Sequence, residues 1–168
     1  MNAKSELTWR DIISPTMTPN EYMDQFGDKI GFYYEIYEPK KEVLEEIAQL
    51  LILNNEMLKI LVLGAEWCPD CNKNVPQMIK IIKTLNKVNI DFRILYGIMV
   101  NALHKPDEPI WHETRSPPEA VNPKFDLKKI PTFYFFDSSA MLLGVIIENP
   151  KFQSTLEEDM LTILKNHF

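Results

Sequence analysis

The sequence predicts an α/β fold, a central mixed β-sheet flanked by helices, with an N-terminal helical extension and a Pro-rich insertion. Three features carry that prediction. A continuous apolar run at residues 58–64 stops at Trp67 and is followed by helical spacing, then by a second apolar run at 89–96. Strand, helix and strand in that order make a βαβ unit, so these two strands are expected to be parallel with a right-handed crossover. Two further β-rich runs, 132–136 and 142–147, flank Ser138 and Ser139 and read as a hairpin. A closing helix from about Ser154 completes the pattern.

Composition sets the outer limits. The 168 residues are 45% hydrophobic and 25% charged, an ordinary globular balance that reads as one domain over 1–168. A net charge of −6 and a pI near 5.1 leave no basic surface for neutralising phosphates, so neither nucleic acid nor anionic membrane is an expected partner. Residues 1–6 carry no apolar segment after their charges, and no run approaches the length of a membrane span. The expected location is cytoplasmic. The chain has only two cysteines, so no disulfide framework staples the fold, which suits a reducing compartment.

Taken in order, the extension at 1–39 opens with Thr18-Pro19-Asn20-Glu21, a capping-box pattern with proline at the first helical position. A helix is expected over 19–29, with Tyr22, Phe26 and Ile30 on its apolar face. Gly31 then introduces Phe32-Tyr33-Tyr34-Glu35-Ile36-Tyr37, which reads as a short strand or extended segment buried against the core rather than as a ligand site. From 39 to 54, Val43, Leu44, Ile47, Leu50 and Leu51 recur at helical spacing opposite Glu42, Glu45 and Glu46. The 58–64 run is apolar at every position but Lys59, as expected of a central strand whose two faces are both covered by helices. The helix over 69–87 buries Val75, Met78, Ile79, Ile82 and Leu85, and Pro76 within it is expected to bend it. In the closing helix, Ser154-Thr155-Leu156-Glu157 fits a capping box, with Leu156, Met160, Ile163 and Leu164 facing inward.

Between 97 and 129 the periodicity fails. Pro106, Pro109, Pro117, Pro118 and Pro123 forbid one long helix and mark a loop-rich insertion of the length that is often functional. Trp111 is its conspicuous apolar residue, with loop anchor and substrate contact equally open as roles. His104, Asp107, His112 and Glu113 lack the spacing of a helical metal motif, and Cys68 and Cys71 have no second cysteine pair to complete four ligands. Neither a metal nor another cofactor is expected.

The chemistry concentrates in Trp67-Cys68-Pro69-Asp70-Cys71. A strand ending in a turn and followed by a helix puts Cys68 in the first helical turn. There the unpaired backbone N–H groups and the positive end of the helix dipole favour the thiolate, the nucleophile of disulfide exchange. Cys71 lies one turn further in. The pair can close a reversible ring, Cys68 attacking a disulfide and Cys71 resolving the mixed disulfide.

These residues resemble the active site of the thioredoxin superfamily, in particular its WCPDC-type thioredoxin-related proteins. The resemblance extends to Pro76, similar to the proline that kinks the active-site helix, and to Ile130-Pro131-Thr132, which looks like the cis-proline motif. It implies a thioredoxin-like fold in which a cis Pro131 sits against Cys68, leaves the backbone of Ile130 free to pair with an extended substrate, and discourages metal from taking the thiolates. Trp67 would shield the cysteines and offer an apolar contact. Pro69 and Asp70 would support the site and tune the dithiol and disulfide balance. The insertion leads directly into Pro131 and would border the site.

Two departures stand out. The family's buried aspartate, six residues before the first cysteine, is replaced by Val62, which leaves water, Glu66 or Asp70 to move protons. Pro-Asp replaces Gly-Pro between the cysteines, and the charges of Glu66 and Asp70 oppose the helix-end effect on Cys68. The resemblance implies a thiol-disulfide oxidoreductase whose substrate is a protein or small-molecule disulfide, itself reduced by an upstream reductase or a low-molecular-weight thiol. The alternative is a thioredoxin-fold binding or adaptor protein with a redox-sensing or vestigial cysteine pair.

Overall fold

The computed structural model describes residues 6–168, so the reading of residues 1–6 falls, apart from Glu6, outside the described residues. Within them the order is α1 (Pro19–Ile36), α2 (Lys41–Leu53), β1 (Leu58–Leu63), α3 (Pro69–Thr84), β2 (Ile90–Leu95), β3 (Thr132–Phe136), β4 (Leu142–Ile147) and α4 (Leu156–Lys165). The strands form one mixed sheet in the order β2-β1-β3-β4. β1 and β2 are parallel, Leu58 opposite Ile90 and Leu63 opposite Leu95, and α3 crosses between them as expected. β3 pairs antiparallel with β1 and with β4. α3 stops at Thr84, short of the expected residue 87. Among the described residues no helix is long and apolar enough to cross a membrane.

The sheet's alternation sorts its apolar side chains onto two faces, and their coverings correct the expectation for β1. Leu58, Ile60 and Val62 share a cluster with Phe92, Ile94, Phe133 and Phe135, and it takes in apolar residues of all four α-helices. Leu61, Leu63, Leu95, Tyr134 and Phe136 face the other way. Among the described residues only the first turn of α3, through Cys71, reaches from an α-helix to that second face. It is roofed by Leu7 and Trp9 before α1 and by Ile98, Trp111, Ala120, Phe125 and Leu127 of the insertion. Both faces of β1 are dry, as its sequence requires, but on one side loop supplies the cover.

Loop can do so because its polar groups are matched. Trp111 Nε1 donates to the Leu127 carbonyl at 2.7 Å, and Tyr134 OH to the Phe125 carbonyl at 2.8 Å. Glu119, 1% exposed, accepts from the Ile13 and Ser14 amides at 2.8 and 2.9 Å and from Ser14 Oγ at 2.6 Å, which ties the two halves of the roof together. Trp111 thus anchors the insertion. Met17 and Ile94 exchange backbone hydrogen bonds of 2.8 and 2.9 Å along the outer side of β2, where unpaired edge groups would otherwise lie.

Two local expectations are corrected. The aromatic stretch after Gly31 is helical through Ile36, about the last turn and a half of α1, with Tyr37 as the extended C-cap, and is not a strand. Tyr22, Phe26, Ile30, Tyr34 and Tyr37 continue one stripe at spacings of four and three, so packing outweighs the roughly 1 kcal/mol that glycine costs a helix. The stretch is also less buried than expected. Phe32 is 66% exposed, whereas the Tyr34 ring packs on the core with Lys80 Nζ 4.6 Å from its centre. At α4 the capping box is shifted by one residue. Thr155 Oγ1 accepts from the Glu158 amide at 3.2 Å, and the Glu158 carboxylate accepts from the Thr155 amide at 3.0 Å. Glu157 instead turns inward, fully buried, and accepts from Tyr37 OH and from the Lys40 amide at 2.8 Å. The α1–α2 connection is thereby fixed to the start of α4.

Candidate active site

β1 ends at Leu63, and Gly64 to Trp67 carry the chain from the sheet into α3. Cys68 is the N-cap of that helix, with extended backbone (φ −86°, ψ 117°), and Pro69 occupies the first helical position, where its missing N–H costs nothing. The cap group is the cysteine sulfur itself, which accepts a hydrogen bond from the Cys71 amide at 3.2 Å. Both cysteines are free thiols. Cys68 is 5% exposed and Cys71 fully buried, so only Cys68 offers an incoming disulfide any surface.

The two thiols differ in acidity for stated reasons. A hydrogen bond from the Cys71 thiol and the backbone N–H groups of Cys71 and Asp70 favour the Cys68 thiolate, against burial and the Asp70 carboxylate, and its pKa falls to about 7. Burial, then the hydrogen bond with Cys68, pushes the Cys71 thiol well above the usual range. Alkylation of the native reduced protein is therefore expected to rise through half its plateau near pH 7, with label on Cys68 alone by peptide mass spectrometry. Asp70→Asn should move the midpoint down, because the lost negative charge opposes the thiolate. A midpoint at the free-thiol value of about 8.5 would show that the helix start does not stabilise Cys68.

Around the pair, Ile130 brings its carbonyl to 3.6 Å from Cys68 Sγ, and the Ile130–Pro131 peptide bond is cis. The Ile130 amide has no hydrogen-bond acceptor among the described residues. Trp67 is half exposed, and its Nε1 donates to the Ile98 carbonyl at 2.9 Å, which pins the indole to the start of the insertion. Pro69 is exposed, Asp70 half-buried, and Pro76 buried within α3. Glu66 is exposed, and its carbonyl accepts from Lys29 Nζ at 3.0 Å and Asn72 Nδ2 at 3.1 Å. Trp67, Cys68, Pro69, Asp70, Cys71 and Ile130 thus lie around the start of α3, and Pro76 stands about two turns further along the helix. His104 and His112 lie elsewhere in the insertion, with Nδ1 of each engaged by its own loop.

The sequence does not single out Gly64, Tyr96 or Asn74. A methyl carbon on Gly64 would lie 2.9 Å from Tyr96 Cε1 and 3.0 Å from Cys71 Sγ, so glycine is needed for these two groups to approach over the strand end. The Tyr96 hydroxyl is 3.0 Å from that of Tyr22. Asn74, 1% exposed, donates from Nδ2 to the Glu148 carbonyl at 2.7 Å and to Asn149 Oδ1 at 3.0 Å, binding the active-site helix to the segment after β4. A glycine three residues before Trp67 was a signal available in the sequence; Tyr96 and Asn74 gave none.

The sequence matches the family model described as thioredoxin over residues 16–96, a stretch that includes both cysteines. Over that stretch it matches the thioredoxin superfamily, and its fold is thioredoxin-like. Solved structures similar to this chain include a Pseudomonas aeruginosa protein of unknown function, 15% identical, covering 97% of this chain and 94% of its own with a TM-score of 0.61. A thiol:disulfide interchange protein of the thioredoxin family from Chlorobium tepidum is 18% identical, with 98% of each chain covered and a TM-score of 0.44. Fasciola hepatica thioredoxin is 16% identical over 73% of this chain and 91% of its own, with a TM-score of 0.40. At these identities the likeness is one of fold. No curated protein sequence matches the chain. The thioredoxin family and the Cys-x-x-Cys pair together point to a redox role.

Proposed function

We propose that this thioredoxin-like protein is a thiol-disulfide oxidoreductase that reduces disulfides through a Cys68/Cys71 couple. The observation that carries the reading is the asymmetry of the pair: a thiol of lowered pKa at the helix cap, and a second, fully buried thiol one turn behind it. The Cys68 thiolate attacks one sulfur of the substrate disulfide and expels the other as a thiolate. The Cys71 sulfur then attacks Cys68 Sγ, the bond to the substrate breaks, and its electron pair leaves on the substrate sulfur, which takes up the proton Cys71 gives up. Two electrons and two protons pass to the substrate, and a Cys68–Cys71 disulfide remains for an upstream reductase or a low-molecular-weight thiol to reduce. The Ile130 amide and carbonyl would pair with an extended substrate beside Cys68, and the half-exposed Trp67 would cover its apolar flank. A chain with two cysteines, both in the redox pair, suits the reducing cytoplasm.

The test is reduction of insulin by dithiothreitol, followed by turbidity. Catalytic amounts of the protein are expected to accelerate precipitation well beyond the reductant alone. A rate equal to the reductant's would replace the oxidoreductase reading with a binding or adaptor role.

A further inference from the structure

In the proposed reaction Cys71 must become a thiolate in the first turn of α3, and burial opposes that ionisation. The charged and titratable groups around it are Cys68 and Asp70 on its own turn, Tyr22 from α1 and Tyr96 just beyond β2; the Ala65 amide adds one backbone donor. Tyr22 is fully buried, its ring edge-on to that of Tyr96 with centroids 5.3 Å apart. The two hydroxyls bond to each other at 3.0 Å and to no other group among the described residues. Two hydroxyls carry two protons, and one bond uses only one. The pair therefore retains a free O–H, and the absence of a side chain at Gly64 lets the edge of the Tyr96 ring and the Cys71 sulfur approach the same point over the strand end.

We propose that the Tyr22–Tyr96 hydroxyl pair supplies the hydrogen-bond donor that stabilises the Cys71 thiolate as it forms, and so sets the rate of mixed-disulfide resolution. The inference rests on the oxidoreductase reading. In the arrangement with Tyr22 donating to Tyr96, the second hydroxyl is polarised and its proton becomes the better donor. Burial raises the pKa of both tyrosines, Tyr22 to about 12, so both keep their protons at neutral pH and act as donors, not as bases. No bond to tyrosine is made or broken. The Cys71 proton still goes to the departing substrate sulfur, and the electron count of the exchange is unchanged.

The two chemical steps separate with a bis-nitrobenzoate disulfide, whose first coloured thiolate reports attack by Cys68 and whose second reports resolution by Cys71. For Tyr96→Phe, which keeps the ring and deletes the hydroxyl, the first release is expected to match the parent in rate and pH profile. The second is expected to slow about tenfold at pH 7 and its profile to move about one pH unit upward, as for loss of a hydrogen bond to a charged group. Tyr22→Phe should act in the same direction with a smaller effect, and it is the second test should Tyr96→Phe lose its fold by circular dichroism. Parent-like second release in both folded variants, or in Tyr22→Phe alone where Tyr96→Phe is unfolded, overturns the inference while leaving the oxidoreductase reading intact. A parent protein that releases neither thiolate fails that reading and this inference together.

Discussion

Cys68→Ser is expected to reduce insulin no faster than dithiothreitol alone, whereas Cys71→Ser should stop one step later with substrate held on Cys68. The difference follows from geometry. Without Cys68 no thiol has any surface, since Cys71 is fully buried behind the helix cap and its ionisation is opposed by burial. Without Cys71 the attack still proceeds, because the backbone N–H of residue 71 that bonds Cys68 Sγ is retained whatever the side chain. The serine hydroxyl is then too weak a nucleophile to break the mixed disulfide. Mass spectrometry of the two variants incubated with a disulfide substrate should find an adduct on Cys71→Ser alone. An adduct on Cys68→Ser, through Cys71, would reverse the order of attack.

Val62→Asp should cost on the order of 3 kcal/mol of stability at neutral pH, measured by urea denaturation. Val62 has no exposed surface, sits between Phe133 and Ile94 on the neighbouring strands, and packs in the helix-covered cluster. A carboxylate there loses its water and gains no donor prepared for it. The thioredoxin resemblance assigns this position an acid that serves the second cysteine, so thiol exchange is the second readout. Cys71 belongs to the opposite packing cluster, and its sulfur lies against Gly64, just past the end of β1. Exchange by the variant is therefore expected at the parent's rate. Faster exchange would mean that a carboxyl at residue 62 reaches Cys71 after all, and undiminished stability would mean that the strand tolerates a charge on its buried face.

The elements that carry the site were legible because each is dictated by its own residues. β1 is apolar enough to be nothing but interior, Pro69 and the helical spacing after Cys68 start α3, and Thr18 with Glu21 starts α1. Cys68 and Cys71 were legible for the same reason, since one helical turn between two thiols is a local fact.

The misreadings share the opposite property. Gly31 looked like an end to α1 because glycine's cost is local, while the packing of Tyr34 on the core that outweighs it involves residues some fifty positions away. Ser154 and Thr155 are equally good caps by sequence; Glu157 decides between them by turning inward to Tyr37 and Lys40, a contact across more than a hundred residues. Nothing in β1 distinguishes a helix from a well-bonded loop as the cover of its second face, because burial requires only that water be excluded. Likewise Tyr96 carries no sign of Tyr22 or Cys71 in its surroundings along the chain. The sequence alone determined which sulfur stands at the helix start and which strands must be dry; only the tertiary structure decided what lies against them, because those contacts are chosen by the shape and hydrogen bonding of segments that meet after the chain has folded.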